Sequence, residues 1–229
     1  MNINTTLIAL LAAFGMIHAE AGADLELEFL NRYVDLGEEV EPGSRFLRAE
    51  IGTDLHGIDV GLEGFQALGS GDYNEIGLTF SMDFEFGDLV LTPGVTFLWF
   101  PEDSDDTLEA SLGFDLPLFG TGLEVFGEYV FDLNDSVGFL EVGLALPQTV
   151  PAGDFEVNVS PSVTVGFDYG MVSGDRGFTE NNIVVSLEIG VPVTEQAEVF
   201  ASINQSYALT AIEDGRDISW FGLGIALGF

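Results

Sequence analysis

The chain has 229 residues and carries 39 carboxylates against five arginines, with no lysine and no cysteine, for a formal charge of −34. That balance excludes nucleic acid as a partner, because nothing neutralises phosphates, and the missing cysteine excludes disulfides and thiolate metal sites. Yet 47% of the residues are hydrophobic, 20 are Phe and the mean hydropathy is +0.32, unlike acidic chains that stay disordered, so acidic and apolar side chains must be kept apart.

The first element is TLIALLAAFGMI, residues 6–17, an apolar run of the length of a signal-peptide core. Ala19 and Ala21 follow in an A-x-A arrangement, although no Lys or Arg precedes the run. It is shorter than the ~20 residues of a bilayer-spanning helix. Residues 1–21 are therefore expected to be a cleaved leader and 22–229 the exported domain, with no transmembrane helix.

Beyond Ala21 the dominant period is two. In NEIGLTFSMDF, residues 74–84, the side chains Ile76, Leu78, Phe80, Met82 and Phe84 share one face, and Glu75, Gly77, Thr79, Ser81 and Asp83 the other. The same alternation recurs in TLEASLGFDL (107–116) and FEVNVSPSVTVGFDY (155–169). It marks strands with one apolar and one polar face. Twelve such segments are predicted, at 24–33, 45–54, 57–65, 74–84, 89–100, 107–116, 122–132, 136–146, 155–169, 182–191, 197–208 and 218–229. Most approach the ~9–11 residues of a tilted membrane-crossing strand.

The connections alternate in character. After even-numbered strands they are mostly short, as in LHG (55–57) and EFGD (85–88); after odd-numbered strands several are longer and polar, as in VDLGEEVEPGS (34–44) and GMVSGDRGFTEN (170–181). PQTVPAGD (147–154) is a longer exception and NDS (134–136) a shorter one. Short turns at one end and long loops at the other is the layout of an outer-membrane barrel, and an even strand count puts both termini at the short-turn, periplasmic end. Tyr33, Phe97, Trp99, Tyr129, Phe131, Phe167, Tyr169 and Tyr207 fall at one set of strand ends, and Phe84 and Phe229 at the other. These are the two aromatic girdles of such a barrel.

The last strand ends GLGIALGF, on Phe229. Alternation, leader and terminal Phe together resemble the bacterial outer-membrane β-barrel proteins of porin type, whose closing strand ends on an aromatic. The resemblance implies that Phe229 is part of the signal read by the barrel-assembly machinery, that the domain sits in outer-membrane lipid, and that strand 12 pairs with strand 1. Phe221, Leu223, Ile225, Leu227 and Phe229 then face lipid, while Gly222, Gly224, Ala226 and Gly228 face inward. NRYVDLGEE, residues 31–39, is similar to the tyrosine-and-arginine strand at the mature N-terminus of the small porins of the TorF type, without their Arg-Gly pair.

On this fold the polar set faces the lumen: Glu26, Glu28, Glu50, Asp59, Glu63, Glu75, Asp83, Glu109, Asp115, Glu124, Glu128, Glu156, Asp168, Glu188 and Glu198, with Arg32 and Arg48 nearly the sole bases. A dry interior could not hold so many like charges, so the lumen is expected to be wet, and an acidic ring favours cations. The expected function is passive diffusion of small solutes, cations preferred. An acidic proteome from a saline habitat would explain the same carboxylates without a selectivity role. Two other readings are a non-conducting structural or adhesive barrel acting through its loops, and a soluble acidic β-sandwich that leaves the girdles unexplained. No enzyme site emerges. His56, the one histidine outside the leader, falls in a short turn, and Glu124 with Glu128 is a pair that chance supplies in so acidic a chain. PEDSDD (101–106) and DLGEEVEPGS (35–44) are oxygen-rich but lack EF-hand spacing, so no metal or cofactor is expected.

Overall fold

The computed structural model describes residues 23–68, 73–101, 106–118, 120–153, 155–212 and 215–229. The leader expected over residues 1–21 lies outside the described residues. The strands are β1 (Asp24–Leu30), β2 (Val34–Asp35), β3 (Glu38–Glu39), β4 (Arg45–Asp54), β5 (Asp59–Leu68), β6 (Asn74–Ser81), β7 (Phe84–Phe86), β8 (Leu89–Trp99), β9 (Thr107–Pro117), β10 (Glu124–Asp132), β11 (Val137–Ala145), β12 (Gln148–Ala152), β13 (Phe155–Tyr169), β14 (Thr179–Thr194), β15 (Ala197–Ala208) and β16 (Ile218–Gly228). All strand pairings are antiparallel; along the barrel β6 pairs with β8 past β7, β11 with β13 past β12, and β1 with β4 past the β2–β3 hairpin, while β1 also pairs with β16 to close it. With β6–β7 and β11–β12 each counted as one interrupted stave, twelve staves close a barrel, as the alternation predicts.

Closure follows from the register. Leu30 faces Gly222 and Asp24 faces Gly228, and beyond them the Phe229 amide donates to the Ala23 carbonyl at 2.9 Å. Among the described residues each of the twelve staves pairs with a neighbour on both sides, which leaves no open seam of the kind a membrane-embedded sheet cannot tolerate.

The faces sort as the period demands. Phe80, Phe84, Phe97, Trp99, Ile203, Tyr207, Leu223 and Phe229 are outward and exposed, as a lipid-facing wall requires. The inward row of β16 is Gly222, Gly224, Ala226 and Gly228 because the interior opposite is occupied. A Cβ on Gly222 would overlap the Glu28 carboxylate, and one on Gly224 the Phe200 ring.

Three stretches depart from the sequence reading. β1 stops at Leu30, not at 33: the Asn31 side chain accepts the Phe221 amide at 2.7 Å, and the chain then turns inward to place Tyr33 among aromatic rings. Tyr33 therefore belongs to neither girdle. NRYVDLGEE is no membrane-crossing strand; it contains β2 and β3, a hairpin that pairs with itself and with no stave of the barrel. PQTVPAGD is not an open loop, since β12 pairs with β13 from Gln148↔Val159 to Ala152↔Phe155. His56 sits in a two-residue hairpin turn, where His56 and Gly57 both take positive φ (62° and 85°).

Candidate functional site: the barrel lumen

On the inner wall stands Arg48, on β4. Its Nη1 lies 2.7 Å from Glu26 and 3.7 Å from Glu28 on β1, its Nη2 2.5 Å from Glu50, and its Nε 2.5 Å from Glu63 on β5. The register dictates this convergence: Glu28 is opposite Arg48, Glu26 opposite Glu50, and Glu50 opposite Glu63. A planar fork with donors on both edges can serve several carboxylates at once, but one positive charge cannot balance four negative ones. The cluster stays net anionic.

Toward the loop end the same wall becomes apolar. Leu30, Phe46, Phe65 and Ala67 are buried together, with Tyr33, Tyr73 and Trp220 packed on them. Tyr33 stacks on Phe65, meets Phe46 edge-on at 5.4 Å and lies 5.9 Å from Tyr73. This cluster draws the β2–β3 hairpin into the mouth. Its tip crosses toward β14, where the Asn181 side-chain amide donates to the Leu36 carbonyl at 2.5 Å. Gly37, at φ 86°, fits against Asn182 and Ile212 with no room for a Cβ. Asn182 in turn donates to Ser206 at 3.1 Å, tying β14 to β15. Desolvation by the surrounding wall pushes the Asp35 carboxyl up to about 6, although its surface stays open to the cavity; the Leu36 amide pulls it down, and the Glu63 charge adds to the rise.

The opposite half of the lumen is open. A cavity of 790 Å³ lies between the hairpin and the wall, lined by Asp35, Glu63, Glu75, Glu109, Glu128 and Asp132 among others. It shares Thr79, Ser111 and Glu128 with a cavity of 380 Å³ that reaches Asp115 and Glu141. That one shares Thr79 and Ser81 with a third of 540 Å³, lined by Asp59, Glu63 and Glu50. The third shares Asp24, Glu50 and Gly52 with a fourth of 570 Å³ at the terminus end, beside Glu26 and Glu198. Arg176, at the mouth, is the one base on any of these walls.

Most of the carboxylates singled out in the sequence stand on this inward face. Glu26, Glu28, Glu50 and Glu63 gather on Arg48; Glu75, Glu109, Asp115 and Glu128 line the cavities. Asp83, between β6 and β7, accepts the Thr92 hydroxyl at 2.6 Å. Glu124, Glu156 and Glu188 share the face by register but line none of the four cavities. Glu198 accepts from Asn158 at 2.6 Å.

Asp168 and Arg32 are placed differently. Asp168 is fully buried at the end of β13, where it accepts the amides of Val172 and Ser173 and the Ser173 hydroxyl; it shapes a turn. Arg32 lies past β1 in the loop, 3.8 Å from Glu39. Phe229 is outward and exposed. Of the oxygen-rich loops, 35–44 contains the docked hairpin, and residues 102–105 of the other lie outside the described residues.

Sequence reasoning passed over Glu141, Asp132 and Asp35. Glu141 is opposite Glu128, and the alternation of Leu140, Val142 and Leu144 already implied its inward direction. Nothing local implies the place of Asp35.

No family model and no curated protein matches the sequence. Solved structures match in fold. The KdgM porin has 11% identity over 91% of this chain and 99% of its own, with a TM-score of 0.58. The NanC porin has 9% identity over 89% and 98%, with a TM-score of 0.59. LpxR from Salmonella typhimurium has 12% identity over 89% and 99%, with a TM-score of 0.54. The chain therefore has the fold of the porin-like, twelve-stranded outer-membrane barrels.

Proposed function

We propose that this barrel sits in an outer membrane and acts as a porin-like channel for passive diffusion of small solutes, with cations preferred. The observation that carries the reading is the lining of the open half. Cavities that share residues follow one another along the wall, and carboxylates and hydroxyls line them with a single arginine at the mouth. Such a lining concentrates cations and raises a barrier to anions. One matched structure is the KdgM porin in complex with disordered oligogalacturonate; a polyanion of that kind would be repelled here. On this reading Phe229 serves as the assembly signal and the exposed outer rows contact lipid.

The docked hairpin favours a second reading, a non-conducting barrel that acts through its loops, because it fills part of the mouth. Planar-bilayer recording of the purified protein under a KCl gradient separates the two. Discrete steps with a reversal potential toward potassium are expected. Anion preference would defeat the selectivity, and faithful insertion without conductance would move the function to the loops.

A further inference from the structure

The mouth cavity has two kinds of wall. Glu75, Glu109, Glu128 and Asp132 line it from β6, β9 and β10, and the rings of Tyr33, Tyr73 and Phe100 line it as well. The register brings the two kinds together. Ile76 is opposite Trp99, so one step further on Glu75 neighbours Phe100. The Tyr73 hydroxyl donates to the Glu75 carboxylate. The Tyr73 and Phe100 rings meet edge-on, with centroids 6.3 Å apart and planes 65° from parallel, and Tyr33 lies 5.9 Å from Tyr73 at 54°. The three rings make a corner beside a carboxylate, not a flat platform.

The barrel already holds one organic cation in such surroundings. The Arg48 guanidinium lies 5.9 Å from the centroid of the Phe65 ring, and four glutamates surround it. A ring attracts a cation through its quadrupole, and the carboxylates supply the rest of the charge. The mouth cavity repeats that pairing of rings and carboxylates over 790 Å³, the size of a small-molecule site. Arg176 on its lining donates to the Asp135 carbonyl at 3.0 Å and cannot balance the surrounding carboxylates alone. An inorganic ion is a poorer occupant. Among the described residues no three carboxylate or histidine side chains stand together as metal ligands, and such an ion has no apolar body for the rings to cover. A neutral sugar would gain nothing from so much negative charge.

We infer that the mouth cavity binds an organic ammonium ion with an apolar body, the body against Tyr73 and Phe100 and the ammonium at Glu75 and Glu109. The ammonium N–H groups donate to carboxylate oxygens in charge-assisted hydrogen bonds, while the ring faces take the carbon skeleton. The inference rests on the channel reading for the passage of the solute, and it narrows the cations of that reading to those that pause at the mouth. A channel needs binding of this kind to be strong enough for entry and weak enough for release.

Calorimetric titration of the full barrel in a zwitterionic detergent tests this, with phenethylammonium as the probe, ethylammonium as the same charge without the ring, and 2-phenylethanol as the same ring without the charge. The wild type is expected to bind phenethylammonium ~10-fold more tightly than either. Phe100→Ala should weaken phenethylammonium ~3- to 10-fold and leave ethylammonium unchanged, and Glu109→Gln should weaken both amines. Phe97→Ala, which removes an outward ring of the same strand, should change neither. All three variants should keep the heat-modifiable migration of a folded barrel. Equal affinity for the three probes, or for phenethylammonium in Phe100→Ala and wild type, would overturn the site. So would an equal loss in Phe97→Ala, which identifies adsorption on the outer wall. The titration needs no current. Binding without conductance in the planar bilayer would end the channel reading and keep the site, and conductance without binding would end the site and keep the channel.

Discussion

Tyr33 lies flat against Phe65, with ring centroids 4.2 Å apart and planes 15° from parallel. The stack joins the hairpin to the inner wall two residues before Asp35, on the strand that also supplies Glu63 to the Arg48 cluster. Aromatic pairs of this kind contribute ~0.5–1.5 kcal/mol beyond the area they bury. The far end of the hairpin is held by the hydrogen bond from Asn181. Leu36 at the tip takes φ 47°, an uncommon conformation for a branched side chain, so the contacts at both ends must offset that strain.

Removing the stack should therefore release the hairpin. Tyr33→Ala is expected to raise single-channel conductance, while Tyr33→Phe, which keeps the ring, should leave it near the wild-type level. Equal conductance in Tyr33→Ala and wild type would show that the hairpin does not limit the pore.

Docking of the hairpin should also depend on pH, with a sign set by Asp35. Its carboxyl is raised to about 6 in the docked hairpin against 3.8 as a free group. Below 3.8 both states are protonated and the difference vanishes. Between 3.8 and about 6 the free carboxyl is ionised while the docked one still holds its proton, so docking weakens as pH rises across that window, and the full penalty is present above it. Asp35 also faces Glu75, Glu109 and Glu141 across the mouth, and their charges act in the same direction. Conductance is expected to fall as pH drops from 7 to 5, and the Asp35→Asn variant to lose most of that dependence. An unchanged pH profile in Asp35→Asn would assign the effect to the wall carboxylates.

The wall of the barrel was legible in the sequence, and its contents were not. β4, β13 and β15 coincide with the alternating segments residue for residue, because the period of two is the direct consequence of one lipid face and one inner face. The same period placed Glu26, Glu28, Glu50 and Glu63 inward. It could not show that they converge on one guanidinium, which depends on the stagger between β1, β4 and β5. Tyr33 sits in a stretch that alternates like a strand; only its distant partners Phe46, Phe65 and Tyr73 decide that it leaves the wall. Residues 148–152 look like a loop because of Pro147 and Pro151, yet β12 is a short extension, and there a missing amide donor is tolerated.

The glycine row of β16 gives a packing prediction. Gly222→Ala places a methyl into the Glu28 carboxylate and against the Ser202 hydroxyl, and neither neighbour can retreat freely, since Glu28 is buried and faces Arg48. A cost of ~1–3 kcal/mol is expected, read as a lower midpoint for loss of heat-modifiable migration. Glu28→Ala should recover part of that loss, because the two changes share one space and their effects cannot be additive. Full additivity in the double variant would show that the contact is relieved elsewhere.

Arg48 gives the prediction that joins stability to selectivity. Four carboxylates stand within 4 Å of it, and they are partly open to lumenal water, with Glu50 41% and Glu63 36% exposed at the side chain. Water softens the loss of a charge partner, so Arg48→Met should cost less than the ~3–5 kcal/mol of a fully buried broken pair, about 1–3 kcal/mol. The same substitution removes the one lumenal base carried on a strand and leaves four carboxylates uncompensated in the mid-lumen. The potassium-to-chloride permeability ratio should rise. Arg48→Lys should hold the net charge, and with it most of the selectivity. It should still lose stability, because a single ammonium cannot reproduce contacts made at Nε, Nη1 and Nη2. A permeability ratio that is the same in Arg48→Met and wild type would mean that ions pass along the open half of the lumen without sensing this cluster, and would place the selective step among Glu75, Glu109 and Glu128 instead.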